Sequence, residues 1–227
     1  MNRGVIMKQS SKPAYLPALR FHWLTPYYDF IVRLTTRERS FKETLIAQAD
    51  IKESFDVLDL GCGTGTLAIM VKQSQPLSQV MAVDGDKKIL CIAEDKARNN
   101  TVQINFDHAL SNQLPYEDDC FDVVLSSLFF HHLNWENKQA TANEMFRTLK
   151  PGAELHIADW GKASNIVARG LFLSIQMLDG FTTTKANVQG RLIELFELAG
   201  FENVQQTKRF NTFFGTMCLY KATKPTV

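Results

Sequence analysis

Apolar residues along the chain follow two periods. Short unbroken runs suit buried strands: Val57, Leu58 and Leu60, then residues 79–83, 102–106, 121–127 and 154–158. Between them the apolar positions recur at helical spacing. Phe41, Leu45 and Ala49 form one such stripe, Ile89, Ala93 and Ala97 a second, and Trp135, Ala142, Met145, Phe146 and Leu149 a third. Leu192, Leu195, Phe196 and Ala199 form the last, with Gly200 placed to cap it. Asn134 is positioned to cap the third helix, and Lys150-Pro151-Gly152 to stop it before the 154–158 strand. Thr35 and Glu38 have the spacing of a capping box ahead of the first stripe. Residues 201–207 and 212–223 read as consecutive strands with no helix between them, so they must pair antiparallel.

Strands alternating with helices predict an α/β fold, and its pivot is the stretch from Phe55 to Met70. There a strand turns through Gly61, Gly63 and Gly65 into a helix. Three glycines let a ligand approach the backbone closely, and the helix N-terminus favours a polar or anionic group at the same place. Gly63-Thr-Gly65-Thr-Leu-Ala68 also satisfies the G-x-G-x-x-G/A dinucleotide fingerprint. Asp84 ends the next strand about twenty residues on, where a carboxylate can accept hydrogen bonds from both hydroxyls of a ribose.

Composition narrows the class. A chain of 227 residues, 45% hydrophobic, is sized for one domain. With 25 Lys and Arg against 24 Asp and Glu, the net charge of +1 supplies no basic field for nucleic acid. The cysteines, Cys62, Cys91, Cys120 and Cys218, form no C-x-x-C pair, which fits reduced thiols in a cytoplasm rather than a zinc site or disulfide framework. No signal peptide or membrane-spanning run is expected.

The pivot, Asp59-Leu-Gly61-Cys-Gly63-Thr-Gly65, resembles motif I of the class I S-adenosylmethionine-dependent methyltransferases. Leu114-Pro115-Tyr116, Phe121-Asp122-Val123-Val124, the ending His131-His132-Leu133 and Leu149-Lys-Pro-Gly152 resemble later segments of the ubiquinone/menaquinone-type members, in the methyltransferase type 11/12 group. Dehydrogenases have no such run. The resemblance covers about residues 27 to 223. It implies a Rossmann-like seven-stranded sheet of order 3-2-1-4-5-7-6, strand 7 antiparallel, with helices on both faces. It implies a tail over 1–26, then one methyltransferase domain over 27–223 with an N-terminal helical cap and a lid insertion around 161–187.

For the site, the resemblance implies S-adenosylmethionine as cofactor, with S-adenosylhomocysteine as product. Gly61, Cys62 and Gly63 would pass along its methionine part, Asp59 would help fix its amino group, Asp84 would hold the ribose and Gly85 would lie against adenine. The family's adenine-binding acid falls on Leu110, so adenine would rely on Ser111 or Asn112, on backbone groups and on packing from Leu110. Ser126 lies at the C-terminal edge of the sheet, beside the cofactor. His131 and His132 are the catalytic candidates. Adjacent residues diverge on a strand or a helix, so no two-histidine metal site is expected. Tyr28, upstream of motif I, and Asp159, after the fifth strand, are candidate substrate contacts.

The expected function is in-line methyl transfer to a small, apolar or aromatic acceptor. A nicotinamide oxidoreductase rests on the Gly63 to Ala68 match alone, and a non-enzymatic binding or scaffolding relative on the Leu110 departure.

Overall fold

A computed structural model describes residues 37–226. Tyr28 and Thr35 therefore lie outside the described residues. The chain runs α1 (Glu38–Ala49), β1 (Asp56–Leu60), α2 (Thr66–Ser74), β2 (Gln79–Asp84), α3 (Lys87–Asn99), β3 (Asn105–His108) and β4 (Phe121–Ser127). A 3-10 turn (Phe130–His132) leads into α4 (Trp135–Thr148), β5 (Leu149–Trp160), α5 (Ile166–Asp179), α6 (Phe181–Gln189), α7 (Leu192–Leu198), β6 (Glu202–Thr212) and β7 (Gly215–Thr223). The sheet has the order β3-β2-β1-β4-β5-β7-β6. β1 to β5 are parallel to one another, and β7 runs antiparallel between β5 and β6.

Both sheet faces are covered, which is why the strands read as unbroken apolar runs. Val57, Val123, Leu125 and Leu219 pack on one side with Phe41 and Leu45 of α1, Leu67 and Val71 of α2, and Phe172 of α5. Leu58, Leu60, Val124, Ile157 and Tyr220 pack on the other with Met145 of α4 and Leu195 and Phe196 of α7. Side-chain caps start three helices: Asp86 accepts from Lys88 N, Asn134 from Asn137 N and Asn165 from Ala168 N.

Several boundaries differ from the sequence reading: β6 runs on to Thr212, and β7 starts at Gly215 rather than at 212. β3 starts at Asn105 rather than at 102, because Thr101 takes a left-handed φ of 56° and Val102 N bonds back to Ala97 O, closing α3. β5 starts at Leu149, because Lys150-Pro151-Gly152 does not interrupt it. The register shifts between Phe121 and Val123, and Gly152 N donates to Lys224 O at 2.9 Å. The 161–187 insertion is two helices, broken at Gly180 with φ 100°.

Candidate active site

The C-terminal edge of a parallel sheet is where an α/β fold leaves loop backbone free to meet a ligand. β1 ends there in the glycine turn. Gly61 N and Cys62 N both donate to Val83 O, at 2.8 and 3.0 Å, so the turn is pinned to the end of β2. Gly61 and Gly63 have φ of 71° and 53°, a region other residues enter only with strain. A Cβ on Gly61 would fall 2.3 Å from Cδ2 of Phe129, whereas one on Gly63 would meet nothing within 4 Å among the described residues. Among the described residues the turn is thus packed on one side by Phe129 and open at Gly63.

Two carboxylates hold the turn and the helix that follows it. Asp84 Oδ2 accepts from Gly63 N at 2.9 Å and Oδ1 from Asp86 N at 3.0 Å. Each oxygen keeps a lone pair for a further donor. Burial raises the Asp84 pKa, against the pull of those backbone N–H groups. Asp59, in β1, is buried and accepts from Ala68 N at 3.0 Å through Oδ2, while Oδ1 has no hydrogen-bond partner among the described residues. Burial lifts its pKa to about 7, with Lys42 pulling the other way. A buried, unpartnered carboxylate oxygen calls for a cationic or N–H ligand group. S-Adenosylmethionine, with a ribose diol and an amino group, fits this donor and acceptor set.

The remaining cofactor candidates are placed unevenly. Gly85 O lies 3.1 Å from His108 Nε2, so His108, which carried no signal in the sequence, stands beside the position expected to meet adenine. Leu110 is exposed. The Ser111 hydroxyl is paired with Thr141 Oγ1 at 2.8 Å, and the Ser126 hydroxyl donates to Leu60 O at 2.6 Å, tying β4 to β1 under the turn. The Cys62 thiol is buried, and burial pushes its pKa well up, so it is no nucleophile.

Beyond β4 and β5 lies a second polar group. β4 and β5 pair in parallel up to Ser127 and Ala158, so the segments leaving the two strands must meet. His131 Nδ1 lies 2.8 Å from Asp159 Oδ1, both side chains buried. Asp159 also accepts from Phe129 N (3.1 Å), Trp160 N (2.7 Å) and Asn187 Nδ2 of α6 (3.2 Å). His132 does not diverge from His131: on the 3-10 turn their ring centroids are 3.9 Å apart. Asp179, at the end of α5, brings Oδ2 to 3.6 Å from His131 Nε2 and Oδ1 to 3.7 Å from His132 Nδ1. Burial works against charging both rings, but Asp159 and Asp179 leave the His131 pKa raised. His132 falls well below the usual range, with His131 and Lys138 adding to the effect of burial.

Sequence reasoning missed three residues here. Phe129 packs its ring on Gly61 and gives its N–H to Asp159, so it joins the glycine turn to the histidines. Lys138 of α4, fully buried, donates its Nζ to the carbonyls of Phe130, Leu133 and Thr183, locking the 3-10 turn to α6. Burial lowers its pKa to about 8. Asp179 reaches the site only through the fold of the insertion.

A family described as "Methyltransferase domain" matches residues 57–152. The chain is 30% identical over 210 residues to a demethylmenaquinone methyltransferase of Lactobacillus johnsonii, covering 83% of this chain and 85% of that protein. It is 27% identical over 224 residues to the ubiquinone/menaquinone biosynthesis C-methyltransferase UbiE of Cupriavidus taiwanensis, covering 90% of each. Among solved structures, phosphoethanolamine N-methyltransferase 2 of Haemonchus contortus, in complex with S-adenosylhomocysteine, shares the fold. Its TM-score is 0.67 at 14% identity, over 82% of this chain and 53% of that one. Neither the oxidoreductase nor the scaffold reading gains support from these relatives. The chain belongs to the class I S-adenosylmethionine-dependent methyltransferases, and is an enzyme that takes its methyl group from that cofactor.

Proposed function

We propose that the acceptor is a small apolar ring of the isoprenoid quinol class, methylated in line at a ring carbon. The observation that carries this is the similarity, over most of the chain, to enzymes named for demethylmenaquinone and for ubiquinone/menaquinone C-methylation. The apolar insertion 161–187 is assigned as a lid, within a single domain over 27–223 that also includes the N-terminal cap. Ile166, Leu173, Met177 and Leu178 of that insertion are exposed, consistent with an apolar guest. We place the protein in the cytoplasm, with no nucleic-acid partner. Among the described residues no helix is long and apolar enough to cross a membrane.

In this reading Asp59 seats the cofactor's amino group, and Gly61, Cys62 and Gly63 line its methionine part. Asp84 holds the ribose, and Gly85, Leu110 and Ser111 surround adenine. Ser126 positions β4 beside them, and Tyr28 is assigned to the acceptor. S-Adenosylmethionine supplies an activated methyl on a sulfonium, so the protein's task is alignment and exclusion of water. A ring carbon becomes nucleophilic when a neighbouring hydroxyl is ionised. It then takes the methyl and loses its own proton, restoring the aromatic ring. We assign His131 and His132 to that hydroxyl, to stabilise its ionised form, with Asp159 holding His131.

Two measurements test this reading. Incubation with S-adenosylmethionine and a short-chain prenylated demethylnaphthoquinol should yield a ring one methyl heavier by mass spectrometry. Cofactor binding without methylation of any prenylated quinol would remove this acceptor class. Cofactor affinity should also rise with pH across about 6 to 7.5, because Asp59 is neutral below its raised pKa of about 7 and attracts the amino group only once ionised. Calorimetry on Asp59→Asn should show weaker binding with that slope flattened, and an unchanged slope would remove Asp59 from the role.

A further inference from the structure

We propose that His131, His132 and Asp179 bind a zinc-class divalent cation, which holds the ionised oxygen of the acceptor. The sequence argues against a two-histidine site because neighbouring side chains diverge, but the 3-10 turn brings both rings to one side. Among the described residues, this is the cluster in which three such groups each offer a donor atom within 4.8 Å of the others. The donors are His131 Nε2, His132 Nδ1 and the Asp179 carboxylate. Two of the separations are 3.6 and 3.7 Å. Ligands about 2.1 Å from a tetrahedral zinc lie about 3.4 Å from one another. The Asp179 carboxylate is within a few tenths of an ångström of that spacing from each ring, through a different oxygen to each, and all three donors lie within 4.8 Å of one another.

The surroundings also suit a metal. A ligating histidine ordinarily gives its second ring nitrogen to a carboxylate, which fixes the tautomer and aims the free lone pair. Asp159 does this at His131 Nδ1, leaving Nε2 toward Asp179. Asp159 is itself held by Phe129 N, Trp160 N and Asn187 Nδ2, so the ring has little freedom to turn away. Asp179 ends α5, and its backbone carbonyl is tied by Thr183 Oγ1 at 2.7 Å.

The Lys138 ammonium is committed to three backbone carbonyls and does not pair with either carboxylate. Three protein ligands leave a fourth position open, the arrangement of a metal that meets substrate rather than one that only braces the fold. The metal would lower the pKa of a bound hydroxyl, whose proton goes to solvent.

This rests on the acceptor meeting His131 and His132, but its test needs no acceptor. Chelator-treated full-length protein is titrated with Co²⁺ while visible absorption is recorded, and then Zn²⁺ is added. We expect the intense bands of tetrahedral cobalt to saturate at one equivalent and to be bleached by zinc. His132→Ala and Asp179→Asn should abolish the bands, and Asp159→Asn should weaken affinity about 10- to 100-fold. Near-UV circular dichroism shows whether each variant keeps its packing, with His132→Gln as the milder alternative. Absence of the bands in wild-type protein that binds S-adenosylmethionine would overturn the proposal, as would bands unchanged in folded Asp179→Asn. Cobalt binding without methylation of any quinol would leave the metal site standing and refute the acceptor class instead.

Discussion

Asp159→Ala should lower the unfolding free energy by about 3 to 5 kcal/mol and leave methyl transfer barely measurable. The side chain is fully buried at the end of β5 and satisfies four donors from four places: Phe129 N, His131 Nδ1, Trp160 N and Asn187 Nδ2. Truncation leaves the Phe129 and Trp160 N–H groups and the Asn187 amide facing a void, and removes the charge that offsets Lys138. Asn187 also donates to Trp160 O at 2.9 Å, so α6 keeps one tie to β5 and the fold should survive. The loss differs from a cavity effect in its chemistry. Asp159→Leu fills the space without satisfying the donors, and should be no more stable than the alanine variant. Urea unfolding measures both, because the midpoint should fall with little change in slope. A loss under about 1 kcal/mol would mean that the four contacts do not act together in solution.

How far this site is legible depends on which residues are local. The glycine turn and Asp84 can be read from the chain because strand, turn, helix and the next strand lie within about thirty residues and use rigid spacing. Asp159 is readable as a strand-end residue, and His131 as part of the segment that follows β4. Their pairing emerges only once β4 and β5 are known to be parallel neighbours, since the chain then delivers both ends to one place. Asp179 and Lys138 are not readable. Each reaches the histidines from a separate helix, by packing that leaves no periodic mark in the sequence. The shifted boundaries have a similar source. Local preference places Val102 in a strand and Pro151 in a stop, while the fold uses the first to close α3 and accommodates the second at a register shift in β5. The divergence expected of His131 and His132 holds for regular strands and helices, and no residue pattern marks the tight turn that sets it aside.

Asp84→Ala should weaken S-adenosylmethionine binding by about 1.5 to 3 kcal/mol, roughly 10- to 150-fold, through lost charge-assisted hydrogen bonds. Part of any loss would be indirect. The carboxylate also takes Gly63 N and Asp86 N, so its removal frees the open side of the glycine turn as well as the ribose. A double-mutant cycle separates the two contributions. Wild-type protein and Asp84→Ala are each titrated with the cofactor product and with its analogue lacking both ribose hydroxyls. If Asp84 holds the ribose, wild type should discriminate strongly between the two ligands and Asp84→Ala hardly at all. If both proteins discriminate equally, Asp84 acts only on the turn, and the ribose must be held by another residue. The second outcome would shift attention to Gly85 and His108, whose contact lies immediately beside Asp84 at the end of β2.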